Sequence, residues 1–178
     1  LIPKLFDFDK NQQFIREYLS SNYKIEFNDI KNIKYNIFPS PNLSLENINL
    51  NDDKISQFKI KKANLFVNLK GIYNFNYFKV KTLKINDSEI LIEVNQVNHL
   101  IDLFRKIKSE IKVKNLNLFL KKEMNDIVKI KNLNFSNYGY KKYDIKGLIF
   151  DKKFKVNFED EKNINIKIYN TGLKANFN

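Results

Sequence analysis

The 178 residues carry 43% apolar and 14% aromatic side chains, which suits one packed domain and excludes a disordered chain. There is no cysteine, so a disulfide framework, a thiol nucleophile and a thiolate metal site are all excluded. The net charge of +12 is almost wholly lysine, with Arg16 and Arg105 the only arginines; it reads as a solvated face, because phosphate- and base-reading sites favour the bidentate arginine fork.

In chain order, "DKNQQFIREYLSSNY" (9–23) reads as a helix, capped by Asp9, with Phe14 over Tyr18 and Ile15 over Leu19. The corner Phe38-Pro39-Ser40-Pro41 holds two of the three prolines, which forbid helix and interrupt sheet pairing. "NQVNHLIDLFRKIKS" (95–109) is a second helix, with Val97, Leu100, Ile101, Phe104 and Ile107 on one stripe. "NDSE" (86–89), "SNYGYKK" (136–142), "FDKKF" (150–154) and "YNTGLK" (169–174) read as reversals between strands, and "FKVNF", "INIKI" and "LKANF" as the last strands. No apolar run approaches the ~20 residues that span a bilayer.

One pattern recurs between these signals. Two apolar residues alternate, two residues intervene, and two more alternate: Leu43, Leu45, Ile48, Leu50; then Phe58, Ile60, Ala63, Leu65; then Phe78, Val80, Leu83, Ile85. Ile111, Val113, Leu116, Leu118, then Val128, Ile130, Leu133, Phe135, and Tyr143, Ile145, Leu148, Phe150 repeat it. An extra residue would throw the rest of a strand to the wrong face unless a bulge absorbs it and bends the strand. Gly147 at one slip suits such a kink. The alternative is that each slip ends a strand. The expected fold is mainly β with two helices (α+β): a single domain, 1–178, built on a long, bent antiparallel meander of about ten strands.

Chemistry is sparse. His99 is the only histidine and sits beside Leu100 on the apolar stripe, with no nucleophile elbow to serve. Glu159-Asp160-Glu161 reads as a solvated turn, and Asp52-Asp53 lacks the spacing and glycine of a calcium loop. The four glycines form no phosphate cradle, and "KGIYNFNY" (70–77) misses the RNA-binding pattern at four positions. No catalytic residue, metal or cofactor is expected, and no specific nucleic acid.

What remains is one large apolar face with two short helices to cover it. Either the sheet curls and closes on itself, or part of the face stays open as a groove for acyl chains or a partner. The residues placed on that face are Leu83, Ile85, Ile90, Ile92, Val113, Leu116, Leu118, Ile130 and Leu133, each of which reads equally as plain core.

Residues 9–94 carry a resemblance. A helix, the segment "YKIEFNDIKNIKY", the corner "IFPSPNLSLENINLND" and then "IKKANLFVNLKGIYNFNYFKVKTLKINDSEILIEVN" resemble the N-terminal periplasmic region of the AsmA family. Phe38, Pro39, Ser40, Pro41, Leu43, Leu45, Asn47, Ile48 and Leu50 match its aromatic-proline corner and following strand. Val80, Leu83, Ile85, Ile90 and Ile92 match a later strand pair; the chain departs from the family in lacking tryptophan and in inserting the helix at 95–109. The resemblance implies a non-enzymatic periplasmic domain, anchored in the inner membrane of a Gram-negative bacterium by a segment preceding Leu1. It also implies a distant likeness to chorein-type lipid-transfer proteins, whose β-groove carries acyl chains, and a role in phospholipid handling and outer-membrane biogenesis. An A/T-rich genome would account for the Lys, Asn, Ile and Phe content. The alternatives are an assembly module that binds an outer-membrane protein through its sheet edge, or a basic β-domain binding anionic lipid or nucleic acid.

Overall fold

The computed structural model describes residues 8–23, 26–29, 32–36, 38–68, 70–71, 74–106, 109–123, 125–138, 142–159 and 163–177. Helix α1 (Phe8–Tyr23) leads into strands β1 (Glu26–Asp29), β2 (Asn32–Asn36), β3 (Asn42–Asp52), β4 (Ile55–Val67) and β5 (Val80–Glu93). A short 3-10 turn and helix α2 (Val97–Lys106) precede β6 (Glu110–Lys122), β7 (Asn125–Ser136), β8 (Lys142–Ile149), β9 (Lys152–Glu159), β10 (Asn163–Ile168) and β11 (Lys174–Phe177). Among the described residues all eleven strands join one open sheet, in chain order from β3 to β11.

The fold is therefore mainly β with two helices and an antiparallel-dominated sheet, with three differences from the sequence reading. First, β5 and β6 run parallel. The 3-10 turn and helix α2 over residues 94–106 carry the chain back along the sheet, as a parallel connection requires. Second, "NDSE" is not a reversal: β5 runs straight through it. Asp87 adopts φ 52 and absorbs the interruption, while Ser88 takes an apolar residue's place on the buried face. Third, β1 and β2 both pair with β3, β1 along its end and β2 along its start, so they share one sheet edge instead of extending a meander. The Phe38–Pro41 corner lies in the loop of the β2–β3 hairpin, where Asn36 pairs with Asn42. The Phe38-Pro39 bond is cis. The Asn42 side chain holds the corner, donating to Ser40 O at 2.8 Å and accepting from the Asn36 and Asn64 amides at 3.1 Å each.

In β3 to β7 the slips keep one apolar face along the strand, and several of them align across the sheet. Asn47 of β3 has φ 53, Asn115 of β6 φ 56 and Asn132 of β7 φ 49. Asn and Asp tolerate this left-handed region better than other L-residues, because their short side chains hydrogen-bond locally. The pairs flanking Asn47, Glu46 with Lys62 and Ile48 with Ile60, place it opposite Lys61. Lys61 in turn lies opposite Asp87, and Asp87 beside Asn115, whose side-chain amide donates to its carboxylate. Asn115 N–H donates to Asn134 Oδ1 at 3.3 Å, and Asn132 N–H to Asn117 Oδ1 at 3.4 Å, which carries the crease into β7. At the second slip, in β4, neither Lys61 nor Lys62 has a positive φ. There Phe58, Ile60, Ala63 and Leu65 are nonetheless all buried on one face. The β8 slip, by contrast, is not a bulge: its register with β9 runs unbroken, with Gly147 opposite Phe154 and Leu148 opposite Lys153 on the other face. A Cβ at Gly147 would stand 2.9 Å from the Phe154 ring and 3.2 Å from Lys131 O. The glycine is there for close approach, not for curvature.

The core lies where α1 and α2 cover β3–β6. Ile15, Leu19 and Tyr23 of α1 and Leu100 and Leu103 of α2 are buried together with Leu45, Ile48, Ile60, Leu65, Ile85 and Ile111. The packing leaves a void of only ≈ 30 Å³ lined entirely by apolar side chains. That is space for one water with nothing to bind it. Phe78 stands nearly perpendicular to two helix aromatics, with its ring centroid 5.4 Å from Phe14 and 4.9 Å from Tyr18, and Tyr18 OH accepts the Val80 N–H at 3.0 Å.

Candidate functional site

The nine residues assigned to the apolar face do share that face, yet most are closed off. Leu83, Ile85, Ile90, Ile92, Val113, Leu116, Leu118 and Leu133 are buried, and Ile130 is partly buried against the same core. The half of the sheet that the two helices cover is therefore ordinary close-packed interior.

The same face continues beyond the helices. From Phe104 of α2 an aromatic row runs outward: Phe104 to Phe135 at 5.0 Å, Phe135 to Tyr143 at 6.0 Å, and Tyr143 stacked on Phe158 at 4.3 Å. Cross-strand registers extend it over four strands. Ile145 pairs with Val156, Val156 with Ile166 and Ile166 with Ala175; Tyr143 pairs with Phe158, Phe158 with Ile164 and Ile164 with Phe177. All of these are partly exposed except Phe177, which is 55% exposed. With strands ~4.8 Å apart the strip is about 14 Å across. The nine residues read from the sequence lie on β5–β7. The sequence reading missed Val156, Phe158, Ile164 and Ile166, although plain alternation in "FKVNF" and "INIKI" marks their face.

The opposite face of these strands is polar apart from Leu148. Asp144, Asn157, Asn165 and Asn176 form one cross-strand rung, and Lys146, Lys155, Lys167 and Lys174 the next. At the crease the polar face holds a cleft of ≈ 350 Å³, lined by Asn47, Lys61, Asp87, Asn115 and their neighbours.

His99 has a structural partner. Its Nε2 lies 2.9 and 2.8 Å from the two Asp52 oxygens, which ties α2 to the β3–β4 hairpin. Burial pushes the Asp52 carboxyl up, but hydrogen bonds from His99, Lys54 N–H and Ile55 N–H, with the His99 charge, outweigh it and hold the group below its ordinary value. Asp53, next to it, is exposed. Among the described residues no group of three or more His, Asp or Glu side chains is placed to hold a metal ion. Glu159-Asp160-Glu161 falls largely outside the described residues. No helix among the described residues is long and apolar enough to cross a membrane.

No family model matches the chain. No curated protein matches it at a meaningful level either.

Proposed function

We propose that this chain is a non-enzymatic, AsmA-like module of phospholipid handling in the periplasm, whose apolar sheet face receives acyl chains on β8–β11. The observation that carries the reading is the continuation of one apolar face past its two covering helices, as a strip around Tyr143, Ile145, Val156, Phe158 and Ile166. The corner Phe38–Pro41 and the strand that follows supply the family likeness. Each methylene moved from water onto such a strip contributes about 0.8 kcal/mol, and that gain does not weaken with salt.

The test is a titration of delipidated protein with a fluorescent phospholipid at low and at high salt. The reading expects binding that survives high salt and falls at least tenfold in Ile166→Asp, a substitution outside the closed core. Binding that disappears with salt, or that Ile166→Asp leaves unchanged, refutes it. A second reading, an assembly module that offers its sheet edge to an outer-membrane protein, is favoured by β11: among the described strands only β10 pairs with it.

A further inference from the structure

The turn between β8 and β9 is two residues long, closed by the pair Ile149 and Lys152, and both of its residues are left-handed: Phe150 at φ 48 and Asp151 at φ 56. Asn-Gly ordinarily fills such a mirror-image turn, and a bulky aromatic there is strained. Packing does not account for Phe150, since it is 71% exposed. The β10–β11 turn lies alongside, held by Tyr169 N–H donating to Lys153 O at 2.8 Å, and presents Leu173 at 51% exposure. Two apolar tips thus stand together at one corner of the sheet.

A second anomaly lies just behind them. Lys146, Lys155, Lys167 and Lys174 sit directly opposite one another on four consecutive strands. Like charges so placed repel. Asp144 pairs with Lys146 at 3.0 Å, but among the described residues no carboxylate lies within ion-pair distance of Lys155, Lys167 or Lys174. The carboxylate at the tip itself, Asp151, is matched by Lys131 at 3.1 Å.

We propose that this corner docks on an anionic bilayer, with Phe150 and Leu173 entering the headgroup region and the lysine rung lying over lipid phosphates. An anionic interface relieves the charge repulsion and takes up the exposed aromatic in one arrangement. Nucleic acid fits less well. The rung has no arginine fork, and the nearest ring, Tyr169, is covered by the Lys167 ammonium at 4.5 Å from its centroid. The inference goes beyond the acyl-chain reading and does not depend on it, because docking uses the polar face and the tips, not the apolar strip.

The chain has no tryptophan, so Phe150→Trp supplies a single fluorescent reporter. The expected result is a blue shift on vesicles of 70% phosphatidylcholine and 30% phosphatidylglycerol, and none on pure phosphatidylcholine. Cosedimentation with the same anionic vesicles should fall roughly a hundredfold in Lys155→Gln/Lys167→Gln/Lys174→Gln, at about fivefold per lysine. It should fall about tenfold in Phe150→Asp. Lys59→Gln/Lys61→Gln/Lys62→Gln on β4 makes the same charge change elsewhere and should cost less than fivefold. Three results overturn the proposal: an unshifted reporter, equal losses in the two lysine triples, or a single-stranded oligonucleotide that displaces the vesicles while the indole reporter stays in water. Loss of phospholipid binding in Ile166→Asp with docking intact would separate this corner from the groove.

Discussion

Asn115 is the most informative single position in the crease. It sits at φ 56 on an exposed part of β6, and its side-chain amide bonds Asp87 of the neighbouring strand. Asn115→Val puts a β-branched residue into the left-handed region at a cost of about 1–2 kcal/mol and removes a hydrogen bond worth about 1 kcal/mol. The sum is about 2–3 kcal/mol, or roughly 4–12 °C in Tm for a chain of this size. Asn115→Gly loses the same bond but relieves the backbone, so it should stay within about 1 kcal/mol of the parent. Lys114→Val, one residue earlier and also exposed, should stay within about 0.5 kcal/mol, because valine suits an ordinary strand position. Urea denaturation of the three variants with a common m-value gives the order directly. If Asn115→Val is as stable as Asn115→Gly, residue 115 is not left-handed and the aligned crease is wrong.

Three further outcomes follow from side-chain geometry. Asp52 is held below its ordinary value when folded, so the unfolded chain binds the proton more readily; its contribution is complete above the ordinary carboxylate range and is lost as pH falls through the depressed folded value. Asp52→Asn should therefore flatten the acid limb of stability measured from pH 6 down to pH 2, and a limb of unchanged slope contradicts the His99 clasp. Gly147→Ala should cost about 1–3 kcal/mol in denaturation, because Lys131 O and Leu133 Cα crowd the new methyl at 3.2 and 3.3 Å and are backbone atoms that cannot swing away. Tyr23 is pushed up to about 12 by burial, against the lowering effect of its 3.0 Å hydrogen bond with Ser109. Spectrophotometric titration should show a late ionising step that Tyr23→Phe removes.

Much of the architecture was legible from periodicity. Ile15 and Leu19 on one helix stripe, and Leu43, Leu45, Ile48 and Leu50 on one strand face, are buried as their spacing implies. The slips were legible too, and the Asn at Asn47, Asn115 and Asn132 was the readable sign of a left-handed residue, though its abundance elsewhere in the chain obscured it. Strand direction was not legible. Apolar alternation is the same in parallel and antiparallel strands, so the parallel β5–β6 pair had to come from the fold. Ser88 hid the unity of β5 in the same way, since a polar side chain on a buried face looks like a turn. The lysine rung escaped notice because its members lie 7 to 12 residues apart in sequence and meet only through three successive registers. The exposed strip was missed because pattern shows which face is apolar, and only tertiary packing decides which part of it the helices cover.

The measurement that bears most directly on the lipid-handling claim is the lipid content of the protein as isolated. The chain and its Ile166→Asp variant should be purified from bacterial cells, washed in high salt, extracted and analysed by mass spectrometry. The account predicts phospholipid near one molecule per chain in the parent, retained through the wash, and little in the variant at equal folded yield. No lipid in the parent, or the same amount in both proteins, would contradict it.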